Sequence, residues 1–124
     1  MNARLVVTLF ALAFAAGCQT PDNGLQAASL TGGNPARGRV LLRSYGCVTC
    51  HTIGGVPGAT ATVGPPLDGI AKRSYVAGVL PNTPDNLVQW IMAPRAVDPK
   101  TAMPNLGVRT ADARDIAAYL YSRH

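Results

Sequence analysis

Cys47-Val48-Thr49-Cys50-His51 is the stretch on which the reading of this chain turns. Two thiols three positions apart, with an imidazole directly after, form the attachment signature of a c-type haem. Each residue type has a task in that chemistry. Cys47 and Cys50 add to the two porphyrin vinyl groups as thioethers, and one backbone turn sets their spacing. His51 then lies under the ring and offers a nitrogen to the iron. Two other chemistries also use a Cys-x-x-Cys pair. A thioredoxin-type dithiol wants a strand–helix context, and no strand pattern precedes Cys47. A structural zinc site takes four ligands, and the other histidine of the chain is His124.

Charge and cysteine usage fit an exported carrier of one such group. Three cysteines do not make a disulfide framework, and Cys18 has a separate explanation. In 124 residues the hydrophobic core is thin, and a covalent apolar plate would staple it. The formal charge is +5, or +4 without Arg4. Arg37, Arg39, Arg43, Lys72, Arg73, Arg95 and Lys100 suit an acidic partner surface or simply water. With no run of five like charges, nucleic acid is not an expected partner.

Residues 1–17 have the form of a targeting segment: Arg4, then the twelve-residue apolar run Leu5 to Ala16, too short to span a bilayer comfortably. Ala15-Ala16-Gly17-Cys18 resembles a bacterial lipobox, although Ala15 stands where Leu is commoner. That resemblance implies cleavage before Cys18 and lipidation there. The alternative is an ordinary signal peptide cut nearby, with a free Cys18 thiol. Residues 18–33 are small, polar and broken by Pro and Gly. They read as a lipid-anchored flexible tether with a reach of about 20 Å.

The remainder, 34–124, reads as one domain. Asn34 caps a helix that has Pro35 in its first turn and ends by Gly46, with Gly38 marking a close helix crossing. A Gly- and Pro-rich loop covers 52–66. Its Pro65 leaves a carbonyl free, either to orient His51 or as part of a plain rigid turn. Residues 70–79 hold a short helix or an irregular turn. Arg73 and Tyr75 are candidate donors to the haem propionates, or are simply exposed. Thr83 caps a second helix with Leu87, Val88, Trp90 and Ile91 on its apolar face, stopped by Pro94. Met103 lies in a proline-punctuated loop over 94–108, and its thioether is the candidate sixth ligand. Met92, beside Trp90 on a helix, fits gap-filling better. Thr110 caps a last helix whose Ile116, Tyr119 and Leu120 should pack near Gly38.

Taken in order, Cys47-Val-Thr-Cys-His51, Gly64-Pro65-Pro66-Leu67, Met103-Pro104 and Asp115-Ile-Ala-Ala-Tyr-Leu120 resemble a class I monohaem cytochrome c of the small bacterial type. The resemblance implies an all-α fold of three to four short helices wrapped around one covalent haem c. It implies His51 and Met103 as axial ligands and Pro65 as the carbonyl partner of His51. Arg73 and Thr101 fall on the propionate side, Trp90 on the Met side, and Gly38 with Tyr45 against Ile116 and Tyr119 at the terminal-helix crossing. Asn82 departs from the pattern, standing where mitochondrial-type relatives have Trp. The expected function is electron transfer without enzymatic turnover, from a bacterial membrane surface facing the periplasm or exterior. The expected partners are redox proteins with acidic docking surfaces, a terminal oxidase being the natural one, and the chain is a monomer or a subunit of a respiratory complex. A fixed cytochrome subunit of an oxidase or dehydrogenase is the alternative. A haem peroxidase or gas sensor would need Met103 absent or labile.

Overall fold

A computed structural model of the chain describes residues 22–124. Residues 1–17 and Cys18, with the signal and lipidation readings placed on them, lie outside the described residues. The fold is all-α, as expected, with little strand. Its α-helices are α1 (Asn23–Thr31), α2 (Pro35–Ser44), α3 (Pro84–Met92), α4 (Pro94–Val97) and α5 (Thr110–Ser122). Two 3₁₀ turns, Cys47–Thr49 and Ile70–Lys72, and a two-residue antiparallel pair, β1 (Tyr75–Val76) with β2 (Leu80–Pro81), complete the order. Five α-helices exceed the expected three or four because α1 and the single turn α4 were not read as helices.

Over the described residues 22–33, helix α1 stands where the sequence reads as the flexible tether of 18–33. Asp22 caps it by accepting from Gly24 N, and Gly32 closes it in the left-handed conformation at φ 69°. Ala27 and Thr31, four apart, are buried against the body. Small residues permit this close seat. A Cβ on Gly33 would overlap the Arg114 carbonyl, and the Arg114 guanidinium donates to Thr31 O at 3.0 Å. The stretch looked like a tether because nearly all its side chains are short and uncharged, the same property that lets its backbone approach α5.

Helix α2 starts at its expected cap, Asn34 Oδ1 accepting from Arg37 N at 3.1 Å. It ends where Gly46 turns left-handed, at φ 78°. Thr83 likewise caps α3 by accepting from Asn86 N. The cap expected at Thr110 is displaced by one residue: Arg109 occupies the position without a side-chain cap, and Thr110 is the first helical residue. Pro94 ends α3 and, as a first-turn proline, starts α4.

Helix α5 is the centre of the molecule. From Asp112 to Tyr121 all but Arg114 are buried, and α1, α2 and α3 each pack against it. A helix buried on most of its faces is a core element rather than an amphipathic surface one. Gly38 meets α5 backbone to backbone, and a Cβ there would overlap the Asp115 carbonyl. Around this crossing Asn34 N donates to Asp115 Oδ1 at 2.6 Å, and Tyr45 Oη donates to Asp112 Oδ2 at 2.7 Å. Arg37 reaches both acids; its Nη2 lies 3.1 Å from Asp115 Oδ2 without hydrogen-bond angles. Buried carboxylates are costly unless paired, and these two are paired with groups from α2 and its cap.

Candidate functional site

The site begins immediately after α2. Gly46 turns the chain, and the 3₁₀ turn Cys47–Thr49 follows, with Cys50 N and His51 N both donating to Cys47 O, at 3.2 and 3.1 Å. Positions 47, 50 and 51 therefore stand in the i, i+3, i+4 relation of one helical turn, which brings their side chains to one side. The pair is set in a turn after a helix, without the preceding strand that a dithiol oxidoreductase uses. Among the described residues no three His, Cys, Asp or Glu side chains gather as a metal cluster, so the zinc alternative has no ligands. Both thiols are half-buried. Burial pushes the Cys47 thiol pKa up, against its own backbone N–H, which favours the thiolate.

The loop over 52–69 folds back onto this turn. Gly64 N donates to Cys50 O at 2.7 Å, Leu67 N to Thr52 O at 3.0 Å, and Thr52 bridges Thr60. This return carries Pro65 under the histidine, and His51 Nδ1 lies 2.6 Å from the Pro65 carbonyl oxygen. A carbonyl can only accept, so Nδ1 carries the proton and Nε2 keeps its lone pair. Gly64 leaves the space for this arrangement, since a Cβ there would overlap the imidazole ring.

These observations test the fit to a haem. One turn presents two thiols and an imidazole, and the imidazole's Nδ1 is committed to Pro65, which leaves Nε2 available to a ligand. Cys47, Val48, Leu67, Leu80, Met92 and Met103 are half-buried apolar side chains packed on the core, surface of the kind that an apolar plate would cover. The donor set and its surroundings fit the group.

The other expected residues fall as follows. Trp90 is buried on α3, in the core. Met103 is half-buried in the loop before α5, and its N–H donates to Thr101 Oγ1 at 3.2 Å, so Thr101 shapes the loop that holds the Met. Arg73 turns its guanidinium to the Pro66 and Asp68 carbonyls. Through Pro66 it braces the segment next to Pro65. Tyr75 is 57% exposed on β1.

Asn82 is the residue that sequence reasoning missed. Its Nδ2 donates to Ile70 O at 2.7 Å and Arg73 O at 2.8 Å, and its Oδ1 accepts from Tyr121 Oη at 2.6 Å. Both amide hydrogens are thus committed to backbone, and none is left for a propionate. Asn82 instead ties the Ile70–Arg73 turn to α5. Burial raises the Tyr121 pKa, which keeps its hydroxyl protonated as the donor. The only sequence signal was negative, an Asn where the resemblance expected Trp.

A family model described as cytochrome c matches residues 35–123. The chain belongs to the cytochrome c family. Membership implies covalently bound haem c, haem-based electron transfer and redox partners. This cytochrome c is also similar to cytochrome c oxidase subunit 2 of Alkalihalophilus pseudofirmus, at 31% identity over 87 residues. That match covers 69% of this chain and 25% of the relative, so the chain spans about a quarter of that relative's length.

Proposed function

We propose that this cytochrome c is a single-haem electron carrier of the small class I type, passing single electrons between respiratory membrane complexes, with a terminal oxidase as the natural acceptor. Cys47 and Cys50 would hold the haem, with His51 and Met103 as its axial ligands. The observation that carries this reading is the His51–Pro65 hydrogen bond of 2.6 Å. A bound histidine whose second nitrogen donates to a carbonyl is fixed in orientation and made more basic. When bound, haem supplies a one-electron iron couple, and Met/His ligation raises its potential.

The protein's own residues do the rest. Pro65 and Gly64 hold the His51 ring, Thr101 shapes the Met103 loop, and the tied segment from Pro66 to Arg73 keeps the histidine side rigid between oxidation states. The net positive charge favours partners with acidic docking surfaces. Residues 1–17 act as an export signal, and lipidated Cys18 holds the protein on a bacterial membrane, facing the periplasm or exterior.

A fixed subunit of an oxidase is the second reading, supported by the similarity to a protein named as an oxidase subunit. Copurification of the chain with an oxidase at high salt would favour it over a free carrier. The carrier reading is tested by visible spectra of the haem-loaded protein, with CO added to the reduced form. A c-type spectrum unchanged by CO is the expected result. A spectrum that shifts with CO would mean that Met103 does not hold the sixth position, and would put the sensor or peroxidase class first.

A further inference from the structure

Among the described residues, the outward face of α1 has no partner. Leu25 is 72% exposed and Leu30 57% exposed, on a nine-residue helix whose sequence, Asn-Gly-Leu-Gln-Ala-Ala-Ser-Leu-Thr, contains no charged side chain. The buried positions are Ala27 and Thr31. Leu25 lies two residues before Ala27, about 160° around the helix at 100° per residue, and therefore points away from the body. Leu30, five residues on, lies about 140° around the helix from Leu25, on its flank, so Leu25 is the apolar side chain that the outward face presents.

The chain that precedes α1 says what that face meets. Its apolar run ends at Ala16, Cys18 follows, and α1 is capped at Asp22. Four Cα steps separate Cys18 from Asp22, and fully extended they span about 14 Å. The tether pictured from sequence, with its reach of about 20 Å through free chain, is replaced by a short link to a helix fixed on α5. Whatever holds residue 18 at a membrane therefore holds the N-terminal turn of α1 at the membrane too. An uncharged face that presents an exposed leucine suits the boundary between headgroups and acyl chains.

We infer that the Leu25 face of α1 is a lipid-contacting surface, which seats the domain on the bilayer in one orientation. The inference rests on the membrane attachment proposed above. Because α1 is packed on α5, the whole domain turns with it, and the haem-bearing side is presented at a fixed angle rather than swung on a leash.

The test uses the full chain, matured with haem and reconstituted in vesicles of phosphatidylethanolamine and phosphatidylglycerol. With Cys18 acylated and Cys47 and Cys50 in thioethers, Leu25→Cys gives a single free thiol for a nitroxide label. Collisional relaxation of the label by oxygen, which concentrates in the bilayer, is compared with that by a water-soluble nickel chelate. The same label on Val79→Cys, at an exposed turn, is the reference. The expected result is vesicle flotation, one label per chain, and an oxygen-to-nickel ratio severalfold higher at position 25 than at 79. Flotation with equal ratios at the two positions would overturn the lipid-contacting face and leave membrane attachment standing. Failure to float, or two labels per chain, would overturn the attachment by Cys18 and the inference with it.

Discussion

At the scale of single residues, the site works by denying freedom to one imidazole. Gly64 gives His51 its space and the Pro65 carbonyl accepts its hydrogen bond, so both neighbours act through the ring. Gly64→Ala should push the ring off the Pro65 carbonyl. The expected outcome is a lower yield of haem-loaded protein and a higher midpoint potential, because a less basic histidine supports the ferric state less well, measured by redox titration against the parent. Met103→Ala should leave covalent haem intact, open the sixth position and make the reduced form bind CO. Tyr121→Phe removes the donor to Asn82 Oδ1 and strands a polar oxygen, which should cost about 1–2 kcal/mol in denaturant unfolding. The Cys-x-x-Cys-His reading needed only the residues themselves. The partner of His51 did not: a proline alone is as consistent with a rigid turn, and the resemblance supplied the expectation that the geometry then met. The role of Asn82 was hidden, since partners on two distant segments, the Ile70–Arg73 turn and α5, cannot be read from one side chain.

At the scale of elements, α2 and α5 meet without side chains between them at Gly38. Gly38→Ala should destabilise the fold by about 3 kcal/mol, seen as a lower denaturation midpoint, because neither backbone can retreat. The same junction sets a pH dependence. The Tyr45 hydroxyl, then Arg109, hold the Asp112 carboxyl below the usual carboxylate range, against its burial. With its folded value lowered, Asp112 contributes its full stability above the ordinary carboxylate pKa, about 3.9. That contribution is lost as pH falls through the lower, folded value. Thermal midpoints should therefore hold steady near neutrality and fall on acidification below about pH 4. Asp112→Asn should be less stable at pH 7 and show a shallower acid slope. Helices α2 and α3 were legible because their caps and first-turn prolines are local signals. Helix α1 was not, because Ala27 and Thr31 earn their burial from α5, a contact far along the chain.

At the scale of the whole molecule, the half-buried apolar surface that includes Cys47 and Met103 is incomplete by itself. The chain with both Cys47→Ser and Cys50→Ser should keep α1, α2 and α5 weakly and melt far below the haem-loaded protein, as followed by far-ultraviolet circular dichroism. The all-α class was legible because α2, α3 and α5 carry caps, first-turn prolines or an apolar period. The number and seating of the helices were not, since α5 is covered on three sides by elements that share no pattern with it.

The α2–α5 crossing also orders events in time. It joins Asn34 to Asp115, 81 positions apart, and encloses Cys47–His51 between its two halves. A chain emerging amino end first exposes both thiols before residues 110–122 arrive to close the α2–α5 crossing. The attachment motif is thus presented on an open strand, and the last helix to appear acts as the latch.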